Sequence, residues 1–299
     1  MRGFAIITIC LVVAVGCGGE EDGADYTITD QLLSFETGEF QVPTGDVFEC
    51  FYTGVVTDRE LAVRGAAGEQ ATGGHHITIY YTELTKDPQH HPCIDAEMAD
   101  WRMIGGGGDE AEAAISKLRM PEGLAIRVPA GAQIVLQAHY INLGEPFTAN
   151  DSASLELIPT EAALGYVNQF VFNDVGFAVP PHEELESVTT CSAPDEVDII
   201  RLLGHMHEWG TYYKLERLDD ADQPVETIIE KEWEPVFASD PEILTFEPDQ
   251  PMRVAAGTRL RQTCRWFNDT EDPILFPREM CLAYGLYFPD RGEIFCDPD

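Results

Sequence analysis

Apolar residues in this chain fall into short runs separated by clusters of Pro, Gly, Asp and Asn. In "LAIRVPAGAQIVLQAHYIN" (124–142) and "MRVAAGTRLRQTCRW" (252–266) they alternate with polar residues or continue unbroken to the next turn signal. Alternation places every second side chain on one face of a pleated strand, and this punctuation predicts strand after strand. Only "DEAEAAISKL" (109–118) has helical composition, and it reads as a helix within a loop. Many short strands predict an all-β fold of sandwich or barrel type. The stretch Pro159–Gly165 lies between two halves that share a rhythm of strands leading to a histidine-bearing strand. The expected domains are therefore 28–162 and 163–299, without a clear internal repeat.

The N-terminus follows a different pattern. Arg2, the apolar run Phe4–Val15 and then Gly16-Cys17 read as an export signal over residues 1–17, too short to span a membrane as a mature helix. Ala14-Val15-Gly16-Cys17 resembles a bacterial lipobox, although leucine is usual where Ala14 stands, and makes Cys17 the expected lipidation site. Residues 18–27 read as an acidic tether. The chain is thus expected outside the cytoplasm, lipid-anchored at the cell envelope or secreted. Its formal net charge of −35 argues against nucleic acid and anionic membrane surfaces as partners, leaving a lipid anchor as the expected membrane contact. Of eight cysteines, Cys10 and Cys17 fall in the signal, and Cys50, Cys93, Cys191, Cys264, Cys281 and Cys296 remain. An even number in an exported chain predicts disulfides, with fifteen pairings open on spacing alone. No CxxC pair is present, which argues against a cysteine zinc site.

The histidines carry the candidate chemistry. In "GGHHITIYY" (73–81), His75 and His76 are adjacent, and neighbours on a regular strand face opposite ways. Both can serve one site only where the backbone is irregular, which Gly73 and Gly74 permit. In "GHMHEWG" (204–210), His205 and His207 are two apart and on a strand project to one face, close enough to share a metal. His139, alone in an apolar strand, reads by itself as a hydrogen-bonded core residue. His90 and His91 read as solvated loop residues, and His182, after two prolines, as a surface turn.

Taken in order, "GGHHITIYY", "IVLQAHY", "GHMHEWG" and "REMCLAYGLYF" resemble the copper type II, ascorbate-dependent monooxygenases, the family of peptidylglycine α-hydroxylating and dopamine β-monooxygenases. The resemblance covers roughly residues 35–299. It implies two consecutive jelly-roll β-sandwich domains with one copper in each: His75, His76 and His139 at the first site, His205, His207 and Met280 at the second. It also implies the bridges Cys50–Cys93, Cys191–Cys296 and Cys264–Cys281, and lacks two further bridges of the animal enzymes. The implied reaction is hydroxylation of a C–H bond of a small organic substrate by dioxygen, with ascorbate or another one-electron reductant. The second site acts on oxygen and substrate, while the first stores and delivers an electron. Gln137 matches a glutamine discussed as part of the electron route, and Tyr284 a substrate-side tyrosine. The donor chemistry agrees: imidazole suits both oxidation states of copper, and a thioether favours the reduced one.

The resemblance weakens at the substrate. Leu203 and Leu282 stand where the peptide-amidating enzyme has an arginine and an asparagine, so a peptide carboxylate has no expected partner there unless Arg201 substitutes. Three other readings stay open: a non-catalytic copper-binding or copper-sensing lipoprotein, a cupin-type iron oxygenase, and an adhesion sandwich. The cupin pattern wants a glutamate about four residues after the second histidine, whereas Glu208 is too near and Glu216 too far.

Overall fold

The computed structural model describes residues 24–98, 100–107, 119–238, 240–276 and 278–299. The expected signal, Cys17 and the expected helix at 109–118 lie outside them. The described residues are all-β, apart from the short helix Asp95–Met98 and two single turns of 3-10 helix. No described helix is long and apolar enough to cross a membrane. Asp25, Tyr26 and Thr27, expected to end the tether, instead belong to the strand Asp25–Ile28, which pairs antiparallel with Leu32–Glu36.

Three sheets carry most of the fold. A five-stranded sheet orders Gln89–Pro92, Gly45–Val56, Gln133–Asn142, Gly74–Thr82 and Trp101–Gly107. A four-stranded sheet orders Glu184–Ser192, Arg259–Phe267, Gly210–Leu218 and Pro224–Glu232. The third, of eleven strands, runs through both halves and is joined where Gly165–Asn173 pairs parallel to Leu124–Val128. The boundary drawn at 162/163 falls between the turn Thr160–Ala162 and that strand.

Each smaller sheet closes an apolar core against its end of the large one. In the first half, Phe51, Ile77, Ile79, Leu136 and Tyr140 meet Leu33, Phe35, Val63 and Leu155. In the second, Tyr213, Leu215, Leu260 and Trp266 meet Phe170, Phe172, Ile199, Leu202 and Tyr287. A third cluster crosses the halves, with Met120 and Leu124 against Val167, Ile200, Leu203, Tyr284 and Leu286.

The disulfides are Cys50–Cys93, Cys191–Cys296 and Cys264–Cys281, the three pairs implied by the resemblance. They stay within their halves. Three bridges with none of these six thiols left free mark a protein of an oxidising, extracytoplasmic compartment.

Candidate metal centre

His76 and His139 sit opposite each other on adjacent strands, Gly74–Thr82 and Gln133–Asn142. The next pair is not His75 with Tyr140 but Gly74 with Tyr140. His75 is therefore the extra residue of a β-bulge, which kinks the strand and re-aims the side chain. This answers how two adjacent histidines reach one side. Ile77 and Ile79 enter the core, while the strand partner of His76, His139, points away from it with Gln137, since Ala138 and Leu136 fill the core.

The three rings converge. Their ligand atoms all lie within 4.8 Å of one another. His75 Nδ1 is 3.1 Å from His139 Nδ1 and 3.1 Å from His76 Nδ1. His139 Nε2 meets Asp46 Oδ1 at 2.7 Å, so that nitrogen carries the proton and Nδ1 of the neutral ring presents a lone pair. Phe48 stacks on the same ring at 3.9 Å. No set of neutral tautomers satisfies both contacts of His75: as donor its Nδ1 reaches one neighbour only, and as acceptor it faces the lone pair of His139. A cation among the three removes the conflict, and nitrogens 3.1 Å apart fit two ligands at about 2.0–2.1 Å from one ion. Burial, then the neighbouring His139 and His207, bring His75 down to about 4, and burial holds His76 well below the ordinary imidazole range. Rings kept neutral are ready ligands.

The second set is built differently. The strand Val197–His205 ends at its first histidine, so His207 lies in the following turn rather than on the strand. The alternation persists: Met206 is buried in the core, and the rings of His205 and His207 lie outside it with centroids 5.1 Å apart. His207 Nδ1 donates to the Arg278 carbonyl at 3.0 Å, which leaves Nε2 as the acceptor of the neutral ring. Met280 is brought to this turn through Glu279. One oxygen of that fully buried carboxylate accepts the backbone N–H of both His207 (2.5 Å) and Met280 (2.7 Å); the other accepts that of Trp209 at 3.2 Å. Burial holds His205 well below its usual range, with further depression from His207, His75 and His139, so the two sets share one electrostatic neighbourhood.

Other expected residues have different surroundings. Gln137 is buried; it accepts from the Tyr80 hydroxyl at 3.3 Å and donates to Met98 Sδ at 3.4 Å. Tyr284 is buried opposite Leu203, and Leu282 stands opposite His205. Arg201 directs its Nη donors to the carbonyls of Ile200, Phe246 and Arg119, which makes it a tie across the halves. His90 and His91 are not loop residues: they lie in the strand Gln89–Pro92, where His90 stacks on Phe51 and meets Glu49 at 2.8 Å. The nearby Cys50–Cys93 bridge and pairing with Gly45–Val56 draw this polar segment into the sheet. His182 is exposed, as expected. Asp46, Phe48 and Glu279 escaped the sequence reading. The alternation Asp46, Phe48, Cys50 on one strand face was the available signal for the first two; nothing local marks a glutamate beside a methionine.

No protein-family profile matches the chain, and no curated protein does. Among solved structures, a protein from Parabacteroides distasonis ATCC 8503 described as secreted is 8% identical, with 90% of this chain and 88% of that one covered, at a TM-score of 0.23. A structure from Sulfolobus turreted icosahedral virus is 9% identical, covering 88% and 89%, at a TM-score of 0.31. At such scores neither similarity carries an argument about fold or function.

Proposed function

We propose that this chain is a two-copper monooxygenase, which hydroxylates a C–H bond of a small organic substrate with dioxygen and two electrons from ascorbate or an equivalent reductant. The observation that carries the reading is the bulge-built convergence of His75, His76 and His139 on a single point, with Asp46 fixing the proton of His139 on the far nitrogen. Support comes from the other three motifs in order and from the three disulfide pairs.

In this reading His75, His76 and His139 hold the electron-storing copper, and His205, His207 and Met280 the one facing substrate. Copper supplies one-electron redox chemistry and affinity for dioxygen, and a thioether in the second set favours the reduced ion. The protein residues supply position. Asp46 and the Arg278 carbonyl fix one nitrogen of His139 and His207 as donor, so the other is free to bind. Glu279 fastens the two ligand-bearing segments of the second set. Leu282, partly buried and opposite His205, adds an apolar side chain beside this set, which suits a neutral substrate. The balance is C–H plus O2, two electrons and two protons, giving C–OH and water. We include in the proposal an anchor at Cys17.

The experiment is a copper titration of the metal-free protein, followed by carbon monoxide binding to the reduced form and ascorbate-dependent oxygen uptake with neutral organic substrates. Two coppers per chain are expected. Met280→Ala should keep about one tightly bound, lose carbon monoxide binding, and lose hydroxylation by about 100-fold or more. Carbon monoxide binding unchanged in Met280→Ala makes that methionine a packing residue. Loading of copper without oxygen uptake makes the protein a copper binder and withdraws the hydroxylation reading.

A further inference from the structure

The bulge at His75 needs a reason to persist, because a sheet gains by closing it. An extra strand residue leaves backbone groups unpaired and disrupts the ladder locally. What lies behind the bulge is one carboxylate, Asp151, which is wholly buried and directs its hydrogen bonds to Gln70, Ala71 and Tyr140 rather than to an imidazole.

Its two oxygens hold both sides of the irregularity. Oδ1 accepts the backbone N–H of Ala71 at 3.1 Å and the hydroxyl of Tyr140; Oδ2 accepts Gln70 Nε2 at 3.3 Å. Ala71 opens the turn that delivers His75, closed by the N–H of Gly74 to the Ala71 carbonyl at 2.9 Å. That turn carries Gly73 at φ +94, and a Cβ on Gly74 would lie 2.5 Å from Gln70 Cβ. Tyr140 follows His139 on the facing strand and pairs with Gly74 across the bulge. Gln70 Nε2 reaches the His139 carbonyl as well, at 3.3 Å. Asp151 is itself anchored, since its backbone N–H and carbonyl both bond Thr37 at 2.9 Å.

We propose that Asp151 is the positioning residue of the first histidine cluster, pinning the bulge that turns His75 and His76 to one side. The inference rests on the reading of that cluster as a metal site. Burying a carboxylate is costly, and a site needing only a packed sheet is served as well by an apolar residue. The three donors gathered by Asp151 belong to the two segments whose relative register decides whether three nitrogens converge. Asparagine in its place keeps the shape but turns an NH2 either toward the Ala71 N–H, which can only donate, or toward Gln70, whose amide must then turn its oxygen to meet it and takes Nε2 away from the His139 carbonyl, so at least one tie is lost.

The test uses the full chain with His205→Ala and His207→Ala, so that Cu(II) reports on the first cluster alone. In this background Asp151→Asn should weaken Cu(II) binding about 10–100-fold and alter its electron paramagnetic resonance spectrum, with the disulfides and circular dichroism kept. With the second set intact, its affinity should not move, which separates positioning from a general loss of stability. Tyr140→Phe removes one tie and leaves the carboxylate with two N–H donors, so it is the variant that decides if Asp151→Asn does not fold; a smaller loss of the same kind is expected. Equal affinity and an unchanged spectrum in the folded variants overturn the inference while the metal reading stands. A background protein that binds no Cu(II) at all overturns the metal reading instead.

Discussion

At the scale of single residues, the candidate centre is a problem of proton placement. An imidazole binds metal through a lone pair, so its other nitrogen must hold the proton somewhere useful. Asp46 does this for His139 and the Arg278 carbonyl for His207. The buried rings carry a pH signature. His75 titrates near 4 in the fold and His76 and His205 are also held low, whereas each titrates near 6.5 in an unfolded chain. Between those values the unfolded chain binds more protons, so these rings favour the fold above about pH 6.5, and their contribution is lost as pH falls toward about 4. Carboxylates titrate in the lower part of the range, so the measurement is a difference. Urea midpoints of metal-free protein at about pH 7 and 5.5 should fall less in His76→Asn than in wild type. Identical falls would show that the ring of His76 is hydrated in the fold.

At the scale of elements, one residue of register decides the first cluster. Deleting His75 removes the bulged residue and lets Gly74–Thr82 run in regular register against Gln133–Asn142. We expect a folded protein with its three disulfides that binds one copper per chain rather than two, read by metal analysis after gel filtration. Retention of two coppers would mean that the bulge is incidental and that two histidines suffice. The second set depends instead on a turn and on the Cys264–Cys281 bridge, which closes a 17-residue separation beside Met280.

At the scale of the whole molecule, the histidine sets stand on faces turned away from their own cores, and the shared sheet with its cross-half cluster fixes them relative to each other. That arrangement bears on substrate choice. Leu203 is buried in the cross-half cluster, the partly buried Leu282 stands opposite His205, and the Nη groups of Arg201 are committed to three carbonyls. A peptide carboxylate placed there finds the Arg201 donors already taken, on a protein of net charge −35. Glycine-extended peptides should therefore show negligible amidation by mass spectrometry under conditions that support ascorbate-dependent oxygen uptake. Efficient turnover of such a peptide would mean that a cation holds its carboxylate, either Arg278 from its stack on Trp209 or an Arg201 released from its carbonyls.

The sequence by itself determined the fold class, because strand alternation and turn residues are local properties, and short apolar runs rich in β-branched residues, such as Ile134–Leu136 between turn residues, suit strands. It also held the three cysteine pairs and the histidine motifs, through residues whose order along the chain resembles a known arrangement. Gly73 and Gly74 permitted an irregular backbone here, but tertiary structure alone decided that His75 is the bulged residue, since a bulge is a relation between two strands. It alone drew His90 into a strand, set Asp46 against His139, and placed Glu279 and Asp151 where each ties two distant segments. A buried carboxylate is invisible in a sequence rich in acidic residues: what distinguishes it is burial and the donors gathered around it, and those exist only once the chain has folded.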